Sequence, residues 1–136
     1  MRYMLDTNIC IYSGHADSKS VRAKFAALYR GDAVISAATY AELRHSVERD
    51  TVNFRARERA LNLLIAKVSV IAFDADASVV YGRLAVTLPQ QKKNAIDCMI
   101  AAHAISLDVT LMTNNERDFL AYAEAGGLRL ENWVAG

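Results

Sequence analysis

The sequence has only two cysteines, one proline and one tryptophan among its 136 residues. Cys10 and Cys98 form neither a disulfide framework nor a CxxC zinc motif, so we expect both to be buried packing residues. No apolar run approaches the roughly 18 residues that a membrane-spanning helix needs, and the first residues lack the pattern of a secretory signal. We therefore expect a cytoplasmic protein that has no membrane partner.

Several common catalytic motifs are also missing. The sequence has no GxxxxGK[ST] phosphate-binding loop, no HExxH zinc motif and no GxSxG nucleophile elbow. Its net charge of +1 neither indicates nor excludes a nucleic-acid partner, because an acidic cluster would cancel a basic rim in the sum. The composition, with 53% apolar and 23% charged residues, is that of an ordinary globular protein, and the length fits a single domain over residues 1–136.

Short apolar runs alternate with longer segments of helical periodicity. The runs predict strands at residues 2–5, 33–36, 69–73, 109–113 and 128–133. The periodic segments between them predict helices, the clearest at residues 39–47, 53–67 and 95–107, with Ser18 or Ser20 as the cap of an earlier helix. This alternation is typical of βαβ units, so we expect an α/β fold around a mostly parallel sheet.

Four acidic residues lie after predicted strands or near the starts of predicted helices, namely Asp6, Glu42, Asp97 and Asp118. In a parallel α/β sheet these positions share the carboxyl edge, where such folds bind ligands. Carboxylates gathered there repel one another unless a cation lies between them. Mg²⁺ or Mn²⁺ would suit the site, because hard cations choose oxygen ligands. The cluster therefore favours metal-assisted hydrolysis of a phosphodiester.

Helix capping offers a simpler explanation for three of these acids. Thr39, Asn94 and Asn115 each stand three residues before an acid, which is the spacing of a capping box. A carboxylate in the first turn of a helix also gains about 0.3–1 kcal/mol from the helix dipole. Capping does not account for Asp6, which follows an apolar strand. We therefore favour the metal site, and a catalytically inactive binding module is the alternative.

The segments MLDTNI, TYAEL, IDCMIAAHA and TNNERDF, followed by GGLRLENW, resemble in order and spacing a PIN-domain ribonuclease, specifically a VapC-type toxin of a toxin–antitoxin pair. The resemblance covers nearly the whole chain. It implies a three-layer α/β/α fold with a central, mostly parallel sheet. It also implies a divalent-metal-dependent endoribonuclease whose metal ligands and catalytic residues are Asp6, Glu42, Asp97 and Asp118.

The same resemblance gives supporting roles in the site to Thr113, Asn8 and Asn115. Many relatives carry an aspartate where Asn115 stands. Asn115 could therefore orient a water molecule or cap its helix, and Asp118 could reach the metal directly or through water.

Four basic residues are candidates for contacts with RNA phosphates, namely Lys92, Lys93, Arg44 and Arg117. Solvated surface charge is the alternative for each of them. The resemblance implies that the substrate is structured RNA, with the anticodon region of initiator tRNA favoured. It further implies a cognate antitoxin that neutralises the enzyme, operator DNA bound only through that antitoxin, and a homodimer within a larger toxin–antitoxin complex.

Two other classes of protein place acidic groups at strand ends. A phosphoryl-accepting signalling domain needs a central aspartate and a late lysine, which the strand candidates SVIAF and VTLMT do not supply together. A phosphatase of the haloacid dehalogenase type would carry an acid where Asn8 stands. His103 could be imagined as a general base, but it lies on the apolar face of its helix, so we expect it to be buried.

Overall fold

The computed structural model describes residues 1–12, 19–88 and 95–133, and in these residues it has five short strands. They are β1 Tyr3–Leu5, β2 Ala33–Ser36, β3 Ser69–Ile71, β4 Thr110–Met112 and β5 Leu130–Glu131. All four strand pairings are parallel, and the strand order is β3-β2-β1-β4-β5. The predicted parallel sheet is confirmed, with β1 at its centre.

Seven helices accompany the sheet in the same described residues. They are α1 Thr7–Tyr12, α2 Lys19–Ala27, α3 Ala37–Arg49, α4 Phe54–Lys67, α5 Ala75–Thr87, α6 Ala95–Leu107 and α7 Glu116–Gly126. Among them no helix is both long enough and apolar enough to cross a membrane.

The side chains of the sheet alternate between two hydrophobic cores. Met4 packs with residues of α5, α6 and α7 on one face, and its neighbour Leu5 packs with residues of α1 to α4 on the other. This alternation follows from the period of two in a strand. Both faces are therefore covered by helices, as a parallel sheet requires, and the predicted three-layer α/β/α architecture is confirmed.

Several predicted boundaries were wrong. The third strand, predicted at residues 69–73, ends at Ile71. The two residues after it connect the strand to Asp74, which caps α5. The last strand pairs over only two residues. Helix α1 was not predicted, since six residues are too few to show a helical period. Ser20 is not a cap but lies within α2, where its hydroxyl donates to the carbonyl of Trp133 at 2.9 Å; Ser18 lies outside the described residues.

Cys10 and Cys98 are both buried and are not joined by a disulfide, as the sequence predicted. Each packs in a different core, Cys98 with the helices α5 to α7 and Cys10 with α1 to α4.

Two helical glycines provide a test of the packing. A Cβ atom on Gly126 would lie 2.9 Å from Leu84 Cδ2 and 2.9 Å from Ile105 Cδ1, whereas one on Gly82 would meet nothing within 4 Å. We expect Gly82→Ala to raise the free energy of unfolding by about 0.5–1 kcal/mol through helix propensity. Gly126→Ala should lower it by about 1 kcal/mol through overpacking. Urea denaturation of the two variants measures both effects, and equal stabilisation would contradict the packing of α7 on α5 and α6.

Candidate active site

A small cavity of about 140 Å³ lies at the carboxyl edge of the sheet, next to the centre of the strand order. Strand β1 has β2 on one side and β4 on the other. The order in which the strands are added to the sheet therefore reverses between β1 and β4, and open α/β sheets bind ligands at such a switch point. The cavity is lined by Asp6, Thr7, Asn8, Glu42, Asp97, Asn115, Asp118 and Phe119. The structure thus brings together all four acids named from the sequence.

Asp6 follows β1 directly and is only 3% exposed. Its Oδ1 accepts the backbone N–H of Ile9 at 2.8 Å, and its backbone carbonyl accepts the N–H of Cys10 at 3.2 Å. These are the bonds of a helix N-cap, so Asp6 caps α1. The inference that capping does not account for Asp6 was therefore wrong, because the short helix that it caps was not predicted.

The pKa of Asp6 is raised to about 6, above the 3.8 of an ordinary aspartate, chiefly by burial. Hydrogen bonds from the Thr113 hydroxyl and from the N–H groups of Ile9 and Asn8 oppose the rise, and the charge of Glu42 adds to it. Thr113 is fully buried and makes this hydrogen bond to the carboxylate of Asp6, while the supporting role in the site that the resemblance implied for it stays a prediction. Asn8 lines the cavity with an exposed side chain and supports Asp6 through its backbone.

Glu42 lies in the second turn of α3, which begins at Ala37 rather than at Thr39. The cap of α3 is Ser36, whose Oγ accepts the N–H of Ala38 at 3.1 Å. Thr39 is fully buried inside the helix, and its hydroxyl has no hydrogen-bond partner among the described residues. The expected capping box from Thr39 to Glu42 was therefore wrong, and capping does not explain Glu42.

Thr7 is a site residue that the sequence interpretation missed. Its hydroxyl donates to Glu42 Oε1 at 2.5 Å and so ties the start of α1 to α3. Its place directly after Asp6 in the sequence was the available signal, but without α1 nothing indicated which way its side chain faces. Phe119 also borders the cavity, yet it is 2% exposed and belongs to the core, so it serves as a wall.

Asp97 is the third residue of α6 and is half-buried. Its pKa is raised to about 6, first by burial and then by the charges of Asp118, Glu42 and Asp6, in that order. Among the described residues, every one of these contributions raises the pKa, and none comes from a hydrogen-bond donor or a cation. Within that part of the chain, the ionised form of Asp97 is therefore left uncompensated. Asn94, its expected capping partner, lies outside the described residues.

Asn115 holds Asp118 in place. Its side-chain Nδ2 donates to Asp118 Oδ2 at 2.5 Å, while its backbone N–H donates to Thr113 Oγ1 at 2.8 Å. Asn115 stands at the N-cap position of α7 but makes no side-chain capping bond. The capping box expected here was wrong in this respect, because the asparagine side chain bonds to the carboxylate and not to the helix backbone.

The basic residues named from the sequence are less closely associated with the cavity. Arg44 lies outside it and pairs with Glu58 at 3.0 Å and with Glu48. Arg117 is exposed in the first turn of α7, next to Asp118. Lys92 and Lys93 lie outside the described residues.

The donors around this cavity suit a hard divalent cation, because all four charged groups are carboxylates and the neighbouring polar groups offer oxygen. Within the described ranges, however, no three His, Cys, Asp or Glu side chains stand close enough together to hold a metal ion as they are.

Residues 3–125 match the PIN domain. The chain belongs to the PIN-domain family. Among curated proteins, the tRNA(fMet)-specific endonuclease VapC of Shigella flexneri is 35% identical to it and ribonuclease VapC2 of Rickettsia felis is 34% identical. Each of these alignments covers 98% of this chain and 98% of the relative, so this PIN domain is of the VapC ribonuclease type.

Solved structures agree with the sequence relatives. A chain in the crystal structure of VapBC2 from Rickettsia felis bound to a DNA fragment from its promoter superposes with a TM-score of 0.83 at 30% identity, covering 98% of this chain and 99% of that one. DNA-bound VapBC from Salmonella typhimurium gives a TM-score of 0.85 at 28% identity, with 98% of both chains covered. The VapC-type PIN fold is therefore shared along nearly the whole chain.

The double role of Asp6 can be separated by two substitutions. Asp6→Asn keeps an oxygen that can accept the N–H of Ile9, whereas Asp6→Ala removes the cap. We expect the alanine variant to be about 1 kcal/mol less stable than the asparagine variant in urea denaturation without metal. Equal stability of the two variants would show that the capping bond contributes nothing.

Asp97 should make the stability of the metal-free protein depend on pH. Its folded pKa of about 6 exceeds the ordinary 3.8, so the folded state binds the extra proton between these values and wild-type stability falls as the pH rises through them. Asp97→Asn removes this loss. In EDTA, the variant's advantage in free energy of unfolding should be about 1 kcal/mol larger at about pH 7.5 than at about pH 4, after allowance for solvent screening. An advantage independent of pH would contradict the crowding of carboxylates around Asp97.

Proposed function

We propose that this chain, as a single nuclease domain over residues 1–136, is a divalent-metal-dependent endoribonuclease toxin. The observation that carries the proposal is Asp97, a half-buried carboxylate that has three other carboxylates and no cation near it among the described residues. Such a group remains ionised at neutral pH at a cost in stability unless a metal ion compensates it. Helix capping does not require carboxylates to lie close enough to repel one another, whereas a metal site does. A metal site therefore accounts for the arrangement better than capping.

The residues proposed to hold Mg²⁺ or Mn²⁺ are Asp6, Glu42, Asp97 and Asp118. When bound, the metal would activate water as a nucleophile and neutralise charge on the phosphodiester. Thr7 keeps the carboxylate of Glu42 turned toward the cavity, and Thr113 and the α1 backbone do the same for Asp6. Asn115 orients Asp118 through its amide. The described part of the chain thus fixes the directions of three of the four carboxylates, those of Asp6, Glu42 and Asp118, in advance.

We propose structured RNA as the substrate, with tRNA favoured and the anticodon region of initiator tRNA favoured most. Support comes from the relative of Shigella flexneri, which is named as a tRNA(fMet)-specific endonuclease, together with its alignment over almost the full length of both chains. Arg117 is proposed to contact a phosphate near the cavity, and its exposure in the first turn of α7, one residue before Asp118, supports this role. Lys92 and Lys93, shortly before Asp97 in the chain, are proposed for the same role, and Arg44 for a more distant one.

We propose a cognate antitoxin as the protein partner, with operator DNA bound through the antitoxin and the enzyme acting in the cytoplasm. The related structures are VapBC complexes, two of them bound to DNA, which supports this assembly. A homodimer of this chain within the complex is also proposed. Its support is limited to two exposed valines two helical turns apart on α5, Val79 at 53% and Val86 at 84% exposure.

Cleavage of purified tRNA by antitoxin-free protein tests the proposed activity. We expect discrete fragments in Mg²⁺ or Mn²⁺ that disappear with EDTA, and a loss of at least about 100-fold in rate for Asp97→Asn, since a metal ligand is removed. Mapping the fragment ends identifies the tRNA and the bond that is cut.

Asp76→Asn is the matched control, because Asp76 is an exposed carboxylate in the first turn of α5 that does not line the cavity. This variant should cleave at the wild-type rate. Cleavage that survives EDTA and Asp97→Asn would overturn the metal-dependent mechanism. Discrete metal-dependent cuts in tRNAs other than the initiator would keep the nuclease but refute the favoured substrate.

A further inference from the structure

His103 and Ser36 form a buried hydrogen bond between two helices that carry site residues. His103 Nδ1 lies 2.8 Å from Ser36 Oγ, and both residues are 0% exposed. His103 belongs to α6, which carries Asp97, and Ser36 caps α3, which carries Glu42. The expected burial of His103 is confirmed, and its burial lowers the pKa of the imidazole, which keeps the ring neutral.

The hydrogen bond lies at the same distance along each helix from an acid of the cavity. Glu42 follows Ser36 by six residues and His103 follows Asp97 by six residues, so each acid lies about 9 Å along its helix from the hydrogen bond. Because Ser36 meets His103 while Glu42 approaches Asp97, α3 and α6 pass each other in opposite directions. One end of this helix pair is joined by a hydrogen bond, and the other carries two carboxylates that repel.

We propose that the hydrogen bond between His103 and Ser36 is a clamp that holds α3 against α6 and so fixes the separation of Glu42 and Asp97, which makes His103 a positioning residue for the metal site. The inference rests on the proposed metal site described above. Without the clamp, repulsion between the two carboxylates favours a wider spacing of the helices. A cation bound between them then has to draw the helices together, which weakens its binding.

The polar character of this contact argues against simple packing. The imidazole Nε2 is buried without a hydrogen-bond partner among the described residues, and such a group is costly in a core. A leucine or methionine would fill the same space without that cost. Ser36 Oγ also accepts the N–H of Ala38, so one hydroxyl joins the cap of α3 to α6. The imidazole therefore contributes a directed bond, which an apolar side chain does not supply.

Two amide substitutions of His103 distinguish the effect of the hydrogen bond to Ser36 from the effect of any polar side chain at this position. The amide of His103→Asn lies where Nδ1 lies and can reach Ser36, whereas the longer side chain of His103→Gln carries its amide to the position of Nε2. We expect His103→Gln to weaken Mn²⁺ binding by about 3- to 10-fold, the effect of one lost hydrogen bond, and His103→Asn to bind Mn²⁺ within about 2-fold of wild type. Titration calorimetry with Mn²⁺ alone measures both affinities.

Hydrogen exchange of the metal-free protein provides a readout that does not need the metal. His103→Gln should speed amide exchange by a similar factor in residues 37–43 and 96–103, and leave β4 and α7 as in wild type, because the clamp acts only between α3 and α6. Ser36→Ala breaks the same bond from the other helix and also removes the cap of α3, so the decisive readout for this variant is faster exchange in residues 96–103. Thr39→Val is the matched control, since it removes a buried hydroxyl of α3 that has no partner among the described residues and should change neither readout.

The outcomes distinguish the clamp from the proposed function. If wild type binds Mn²⁺ and Asp97→Asn does not, but His103→Gln and Ser36→Ala both bind it like wild type, the clamp is refuted and the metal site stands. A uniform increase of exchange across the chain would also refute it, since that indicates lost stability without local separation. If wild type fails to bind Mn²⁺, the proposed metal site falls, and the exchange pattern alone decides whether the two helices are clamped.

Discussion

The pairing of β1 on both of its sides is the constraint on which the site depends. This strand has three residues, yet it is hydrogen-bonded in parallel to β2 and to β4. The ladder continues one residue past the strand, because the N–H of Asp6 donates to the carbonyl of Met112 at 3.1 Å. That bond places Asp6 beside Thr113 at the end of β4. Every other acid is positioned relative to this point by a helix that leaves the same edge of the sheet.

Asp6 shows how one carboxylate can satisfy two demands that conflict. Its hydrogen bonds from the N–H groups of α1 stabilise the ionised carboxylate and lower its pKa. Burial and the charge of Glu42 destabilise the ionised form, and burial is the largest of these effects, so the pKa rises to about 6. The capping bonds thus reduce the electrostatic cost of keeping a charge in the site. Capping and metal binding are thus complementary explanations for this residue, although the sequence analysis left capping out for it.

Much of the site followed from residue type and spacing. Asp6, Glu42 and Asp118 could be named because a parallel sheet gathers the residues after its strands at one edge, whereas Asp97, whose helix follows α5, was marked by its place in the first turn of a predicted helix. The helpers Thr7 and Ser36 could not be assigned, because their partners are 35 and 67 residues away and only the tertiary structure brings them together. The capping boxes failed for a related reason. Spacing alone located the start of α3 at Thr39, whereas Ser36, the last residue of β2, already caps it.

The two hydrophobic cores divide the proposed ligands between them. Asp6 and Glu42 are carried by elements that pack with the core under α1 to α4, and Asp97 and Asp118 are carried by α6 and α7, which pack on the opposite face. The geometry of the cavity is therefore a measure of how the two helical layers are aligned across the sheet. Any displacement of one layer relative to the other would therefore change the distances between the carboxylate oxygens. Contacts far from the cavity, wherever they hold the two layers in register, thus also help to shape it.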